Sequence, residues 1–126
     1  MSWAAKTKIA NALSVEGTEL YSDAVTLKSD ETAHVQITGD FPTVATDNLL
    51  IRVYTTLDAS SETFDTTSVI TELTLSKDTD PGAISFSING VYKFRLGLIR
   101  SGSTDTITAN AWVRTNGNYR DCSLDI

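Results

Sequence analysis

At 126 residues and 40% hydrophobic content, the chain has the size of one domain and enough apolar surface for one core. Sixteen carboxylates against ten Lys and Arg give a formal net charge of −6, which argues against a non-specific nucleic-acid binder working through a basic face. No stretch approaches the ~18 consecutive apolar residues of a membrane-spanning helix, and a lone cysteine, Cys122, cannot form an intrachain disulfide.

The chain opens ambiguously. Ala5, Ile9 and Leu13 recur at helical spacing, but residues 1–15 are short for an independent helix. The segment is expected as a short helix or as an extended arm along a neighbour, preceding a single domain over 16–126. Trp3 then either packs on its own domain or docks another subunit together with Lys6, Lys8 and Ile9. Asn11 and Ser14 interrupt any apolar run after the lysines, so no secretory leader is expected.

From Glu19 onward the pattern is β. The chain holds 19 Thr, which suit strands, and 13 Ser, which suit turns. Leu20 to Leu27 makes a first strand with Val25 and Leu27 on one face, and the Lys28–Glu31 turn follows. Ala33, Val35 and Ile37 alternate with His34, Gln36 and Thr38, as in a half-buried strand. The break at Gly39–Pro42 leads to Leu49–Leu57, with Leu49, Ile51 and Val53 facing one way and Leu50, Arg52 and Tyr54 the other. Asp58–Ser68 is a long polar loop that Phe64 pins to the body. Val69–Leu75 is a strand with Leu73 and Leu75 inward, and Lys77–Gly82 is a turn.

Residues 83–115 carry three period-two runs. Asn89-Gly90 suggests a tight hairpin. A two-residue loop, however, would pair Phe86 with Lys93 and Ile84 with Arg95, and paired residues share a face. A three-residue loop, or a crossover between sheets, restores a consistent apolar side. At Ser101–Thr104 the same test favours a four-residue hairpin pairing Leu98 with Ile107, Leu96 with Ala109 and Phe94 with Ala111. Its opposite face would gather Lys93, Arg95, Thr108, Asn110, Trp112 and Arg114. Residues 116–126 are expected to trail across the surface. Seven or eight short antiparallel strands with polar loops predict an all-β, two-sheet sandwich or jelly roll.

Little in the chain points to catalysis. His34, the only histidine, has no Gly-x-Ser-x-Gly motif to serve and is expected as an exposed surface residue. Asp58, Glu62, Asp65, Asp78 and Asp80 invite comparison with glycosidase or calcium sites. Asp78-Thr-Asp80 resembles the start of a calcium loop, but Gly82 is misplaced for one and no bidentate Glu follows. They are expected as solvated turn residues. No catalytic residue, metal or cofactor is expected. The informative face is Lys93, Arg95, Trp112 and Arg114, which suits a subunit contact, a stacked sugar or base, or cover by the N-terminal segment.

The run Ala24–Ile37, with Val53–Asp58 and Gly90–Ala109, resembles small virion proteins of tailed bacteriophages, across about residues 20–115. The resemblance implies a non-catalytic capsid-decorating or cementing β-sandwich at the capsid surface, bound to the major capsid protein or other virion proteins. A homo-oligomer, expected as a trimer, is the state implied, with neither a membrane nor direct nucleic-acid contact. The alternative is a receptor- or carbohydrate-binding module of a tail or head fibre, using Trp112, Tyr54 or Tyr119 as platforms.

Overall fold

A computed structural model of the chain describes residues 5–28, 30–56, 64, 71–79 and 82–116. These form nine strands: β1 (Thr7–Val15), β2 (Leu20–Tyr21), β3 (Val25–Thr26), β4 (Thr32–Asp40), β5 (Leu49–Thr56), β6 (Thr71–Leu75), β7 (Ala83–Ile88), β8 (Lys93–Arg100) and β9 (Ile107–Asn116). One sheet has the order β1-β9-β4-β7. The other runs β2-β8-β5-β6, with β3 also on β8, and every pairing is antiparallel. Counted as one interrupted strand, β2 and β3 complete two four-wide sheets, and almost every connection passes from one sheet to the other. That is the strand order of a jelly roll.

The inward faces supply the core expected from the alternation: Val35 and Ile37 of β4, Leu49, Ile51 and Val53 of β5, Phe94, Leu96 and Leu98 of β8, and Ile107 of β9 are all fully buried. β4 alternates buried and exposed residues from Ala33 to Ile37.

Three local expectations change. First, the described part of the 1–15 segment is no helix. Thr7–Val15 is an edge strand on β9, with register shifts between Lys8 and Ala10 and between Ala10 and Leu13. Each bulge breaks the period of two, and Ala12 turns to φ 49° there. The buried positions become Ile9, Ala10 and Val15, and Leu13 packs half-buried on the core, so Ile9 and Leu13 stand four residues apart on one side as they would in a helix.

Second, Leu20–Leu27 is not continuous. Ser22 holds β8 through its amide to the Leu96 carbonyl (2.9 Å) and accepts the Leu96 amide on its hydroxyl (3.0 Å). The Asp23 amide then donates to the Ile9 carbonyl of the other sheet, at 2.8 Å.

Third, β8 and β9 do not pair. β8 lies between β5 and β2/β3, and β9 lies between β1 and β4. The expected Ser101–Thr104 hairpin is a crossover between sheets, as is the β7–β8 link through Gly90, where φ is 74°. Residues that face each other across a sandwich point inward with the same parity as residues paired in a hairpin. Inward alternation alone therefore could not separate the two arrangements.

The loops at one end of the roll are laced together. Asp105 Oδ2 accepts the amides of Thr46 (2.7 Å) and Asp47 (2.8 Å). Asp47 Oδ2 accepts those of Thr104 (2.9 Å) and Asp105 (2.8 Å). Both side chains are buried, and Arg100 Nη1 donates to the Asp105 carbonyl at 2.7 Å. Asn48 links two further loops, its carbonyl accepting the Ser101 amide and its Oδ1 the Lys77 amide, each at 2.9 Å.

The hydrogen bond from the Asp105 amide is the main cause holding the Asp47 carboxyl below its ordinary value of 3.8. Burial opposes it, and the Thr104 amide and the charge of Arg100 add to it. A carboxylate depressed by folding adds stability above its unfolded pKa and loses that contribution as pH falls through the folded one. Melting temperature is accordingly expected to fall on acidification below about pH 4. Asp47→Asn should flatten that dependence, and an unchanged pH profile in the variant would refute the assignment.

Candidate functional site: the outer face of the four-stranded sheet

β4 and β9 pair at the centre of their sheet with His34 opposite Arg114 and Gln36 opposite Trp112. On the flanks, Lys8 of β1 lies opposite Trp112, and Ser85 of β7 lies opposite Gln36. One ladder row thus crosses all four strands as Lys8, Trp112, Gln36, Ser85. The next row carries Arg114, His34 and Ser87, with Ser87 Oγ 3.4 Å from His34 Nδ1. Directly paired residues share a face, so these groups stand together on the side away from the core.

Trp112 is half-buried because lysines close on it. Lys6 Nζ and Lys8 Nζ each lie 5.2 Å from its ring centroid. Each contact is worth about 0.5–1 kcal/mol at such a site. Lys8 Nζ also donates to Asn11 Oδ1 at 2.9 Å, and the Ala12 amide donates to Asn110 Oδ1 at 2.8 Å, which fixes the bulged edge over β9. Beside the indole an open groove of about 440 Å³ is lined by Lys6, His34, Gln36, Ser85, Trp112 and Arg114.

The electrostatics of the face run against those of the chain. Three of the ten Lys and Arg gather here on a protein of net charge −6. Among the described residues of the four strands, the only carboxylate on this side is Asp40, at the far end opposite Thr108. Cations, a π-surface, an amide and hydroxyls in fixed register suit an anionic partner that also offers a flat or apolar group.

The other expected residues disperse. Because β8 and β9 belong to different sheets, Lys93 and Arg95 lie on the opposite side of the molecule from Trp112 and Arg114. Lys93 is buried between Thr26 and Thr56 of its neighbouring strands. Arg95 stacks its guanidinium 3.9 Å from the Tyr21 ring centroid and 4.6 Å from that of Phe64, so Phe64 is pinned as expected. Ile9 belongs to the core. Trp3, Tyr119 and Cys122 lie outside the described residues, as do Asp58, Glu62, Asp65 and Asp80. Asp78 is exposed and pairs with Lys77 Nζ at 3.2 Å. Among the described residues no three His, Cys, Asp or Glu side chains come together as a metal site.

Tyr54 is no free platform either. It is 3% exposed, and its hydroxyl donates to Glu19 Oε2 at 2.7 Å. Burial, then that hydrogen bond, pushes its phenol above the ordinary value. Glu19 also meets Arg52 at 3.5 Å, and Arg52 Nε meets Glu72 at 2.7 Å. These pairs are partly open to solvent and hold the surface of the second sheet at a modest gain.

Sequence reasoning missed Gln36 and Ser85 as members of the face. The alternation placed Gln36 outward, but only the β9-β4-β7 order brings it and Ser85 beside Trp112. Compared with protein-family models, curated proteins and solved structures, the chain matches none.

Proposed function

We propose that this chain is a non-catalytic virion structural protein, a capsid-decorating jelly roll. It docks on the major capsid protein through the outer face of its four-stranded sheet. The observation that carries the reading is the ladder row Lys8-Trp112-Gln36-Ser85 with Arg114 and His34 beside it, a basic aromatic surface on an acidic protein. Trp and Arg are the residues that dominate protein interfaces, and charge of this sign steers the face toward an acidic patch on the lattice. A laced loop end and a continuous core give the rigidity that docking by geometry needs. The jelly roll is common to viral capsid and lectin domains, a fold-level analogy that supports the class and not the partner.

A second reading, glycan binding, rests on the same indole. Trp112 with the Gln36 amide and the Ser85 hydroxyl in one row offers a stacking surface with hydrogen-bonding groups beside it. The test is co-sedimentation with purified capsids of the phage that encodes the chain, run beside a glycan array. Trp112→Ala should weaken capsid binding at least about tenfold, while loss of the two lysine contacts lowers the melting temperature by only a few degrees and leaves the protein folded at the assay temperature. Lys6→Glu with Lys8→Glu should weaken it further and remove its salt dependence. Capsid binding untouched by either variant refutes the docking face, and array signal that disappears in Trp112→Ala moves the assignment to the glycan reading.

A further inference from the structure

We infer that β7 is a docking edge for a second copy of this chain, pairing antiparallel with its own counterpart across a two-fold axis. The argument starts from how the sheet edges differ. β1, at one edge of its sheet, carries two register shifts and Lys8, with Lys6 just before it. β2 and β3 are two residues each. β6 is five residues long and bears Glu72. Bulges, shortness and charge are the devices that keep an edge from recruiting another strand.

β7 has none of them. Its sequence is Ala-Ile-Ser-Phe-Ser-Ile, without charge or proline, and it runs in unbroken register with β4 from Ala83 to Ile88. Among the described residues β4 is its only strand partner. Ile84 and Phe86 point toward the core but stay half-buried, and among the described residues no strand lies beyond β7 at that edge.

The occupant follows from charge. The chain as a whole is acidic, so two copies repel over much of their surfaces. A neutral strand is where they approach without like-charge opposition. A strand meeting itself antiparallel sets its own residues against one another whatever the register. Here those pairs are Ile, Phe, Ser and Ala, which gain from cross-strand contact on both faces. The pairing closes with two copies, unlike the trimer expected from the resemblance.

The geometry has a consequence that rests on the proposed docking function. A two-fold axis through antiparallel strands stands perpendicular to the sheet, so both copies keep the same face up. The result is an eight-wide sheet carrying two Trp112 faces on one side, which binds a repeating lattice bivalently.

The test is analytical ultracentrifugation of the full chain across the micromolar range. A concentration-dependent rise from 13.6 kDa to twice that mass is expected. Ile84→Lys places an inward-pointing charge on the edge and should weaken dimerisation at least about tenfold while keeping the sheet spectrum. Should that variant fail to fold, single cysteines at 84–88 in a Cys122→Ser background report instead, with disulfide-linked dimers expected at one or two adjacent positions. Trp112→Ala should lose capsid binding and stay dimeric, whereas Ile84→Lys should keep weak, monovalent capsid binding. A mass of 13.6 kDa throughout, or a dimer that survives Ile84→Lys and yields no β7 crosslink, overturns the inference.

Discussion

Asp105→Ala is expected to lower the free energy of unfolding by about 3 kcal/mol and the melting temperature by roughly 10 °C. The carboxylate accepts two backbone amides, from Thr46 and Asp47, at 2.7 and 2.8 Å. It is 5% exposed, so water does not replace it when the side chain is cut back. Hydrogen bonds to a charged acceptor are the stronger kind, and a buried Asp47 amide and a part-buried Thr46 amide left without a partner cost more than the bonds contribute net. Asp105→Asn keeps one acceptor oxygen and should cost less. Because Asp47 holds the opposite loop reciprocally, Asp47→Ala combined with Asp105→Ala should destabilise by less than the two changes added. Urea titrations measure the parent and the four variants, and a loss in Asp105→Ala well under about 1 kcal/mol would show that the loops relax into other hydrogen bonds.

Gly97→Val should cost about 2–3 kcal/mol through overpacking, although position 97 lies mid-strand where valine is normally favoured. Gly97 sits between Arg52 of β5 and Tyr21 of β2, so pairing on both sides holds its backbone in place. A β-carbon there would come within 2.6 Å of the Tyr54 ring and closer still to the Glu19 carboxylate. The glycine is the recess in which Tyr54 lies flat over β8 and reaches Glu19. Valine would lift the ring, break that hydrogen bond and disturb the edge-on contact with Tyr21, whose ring centroid is 6.0 Å away. Near-ultraviolet circular dichroism of the tyrosines should change together with stability. Tyr54→Phe is the matched control, keeping the ring and losing about 1 kcal/mol with the hydroxyl. A Gly97→Val protein as stable as the parent would show that Tyr54 has another place to go.

Where side chains simply alternate, the chain was readable. Ala33, Val35 and Ile37, and Leu49, Ile51 and Val53, face inward as their spacing requires, and two sheets followed from the number of such runs. What alternation cannot encode is which strand lies beside which. Leu98 and Ile107 both point to the core whether they are hairpin neighbours or lie in opposite sheets, so the β8–β9 link was read as a hairpin. That error placed Lys93 and Arg95 beside Trp112, when a whole sandwich separates them. The bulges of β1 hid a strand behind helical spacing, since an extra residue shifts every later side chain. The outer face of the four-stranded sheet was half legible: Trp112, Arg114, Lys6 and Lys8 stood out by type. Gln36 and Ser85 are ordinary strand residues that gain meaning from the order β9-β4-β7.

The strand at residues 7–15 finds its partner at residues 107–116. On the ribosome, β1 emerges early and has no strand to join until almost all the rest of the described chain has been made. β4 has only β7 to pair with in the interval, and β5 waits for β6 and β8. Closing so long a loop is slow, and the apolar faces of β1 and β4 stay open to solvent meanwhile. A nascent chain halted before residue 107 leaves Ile9 and Val15 uncovered and is a target for chaperones and proteases. The four-stranded sheet therefore cannot close until β9, its central partner for both β1 and β4, has been made.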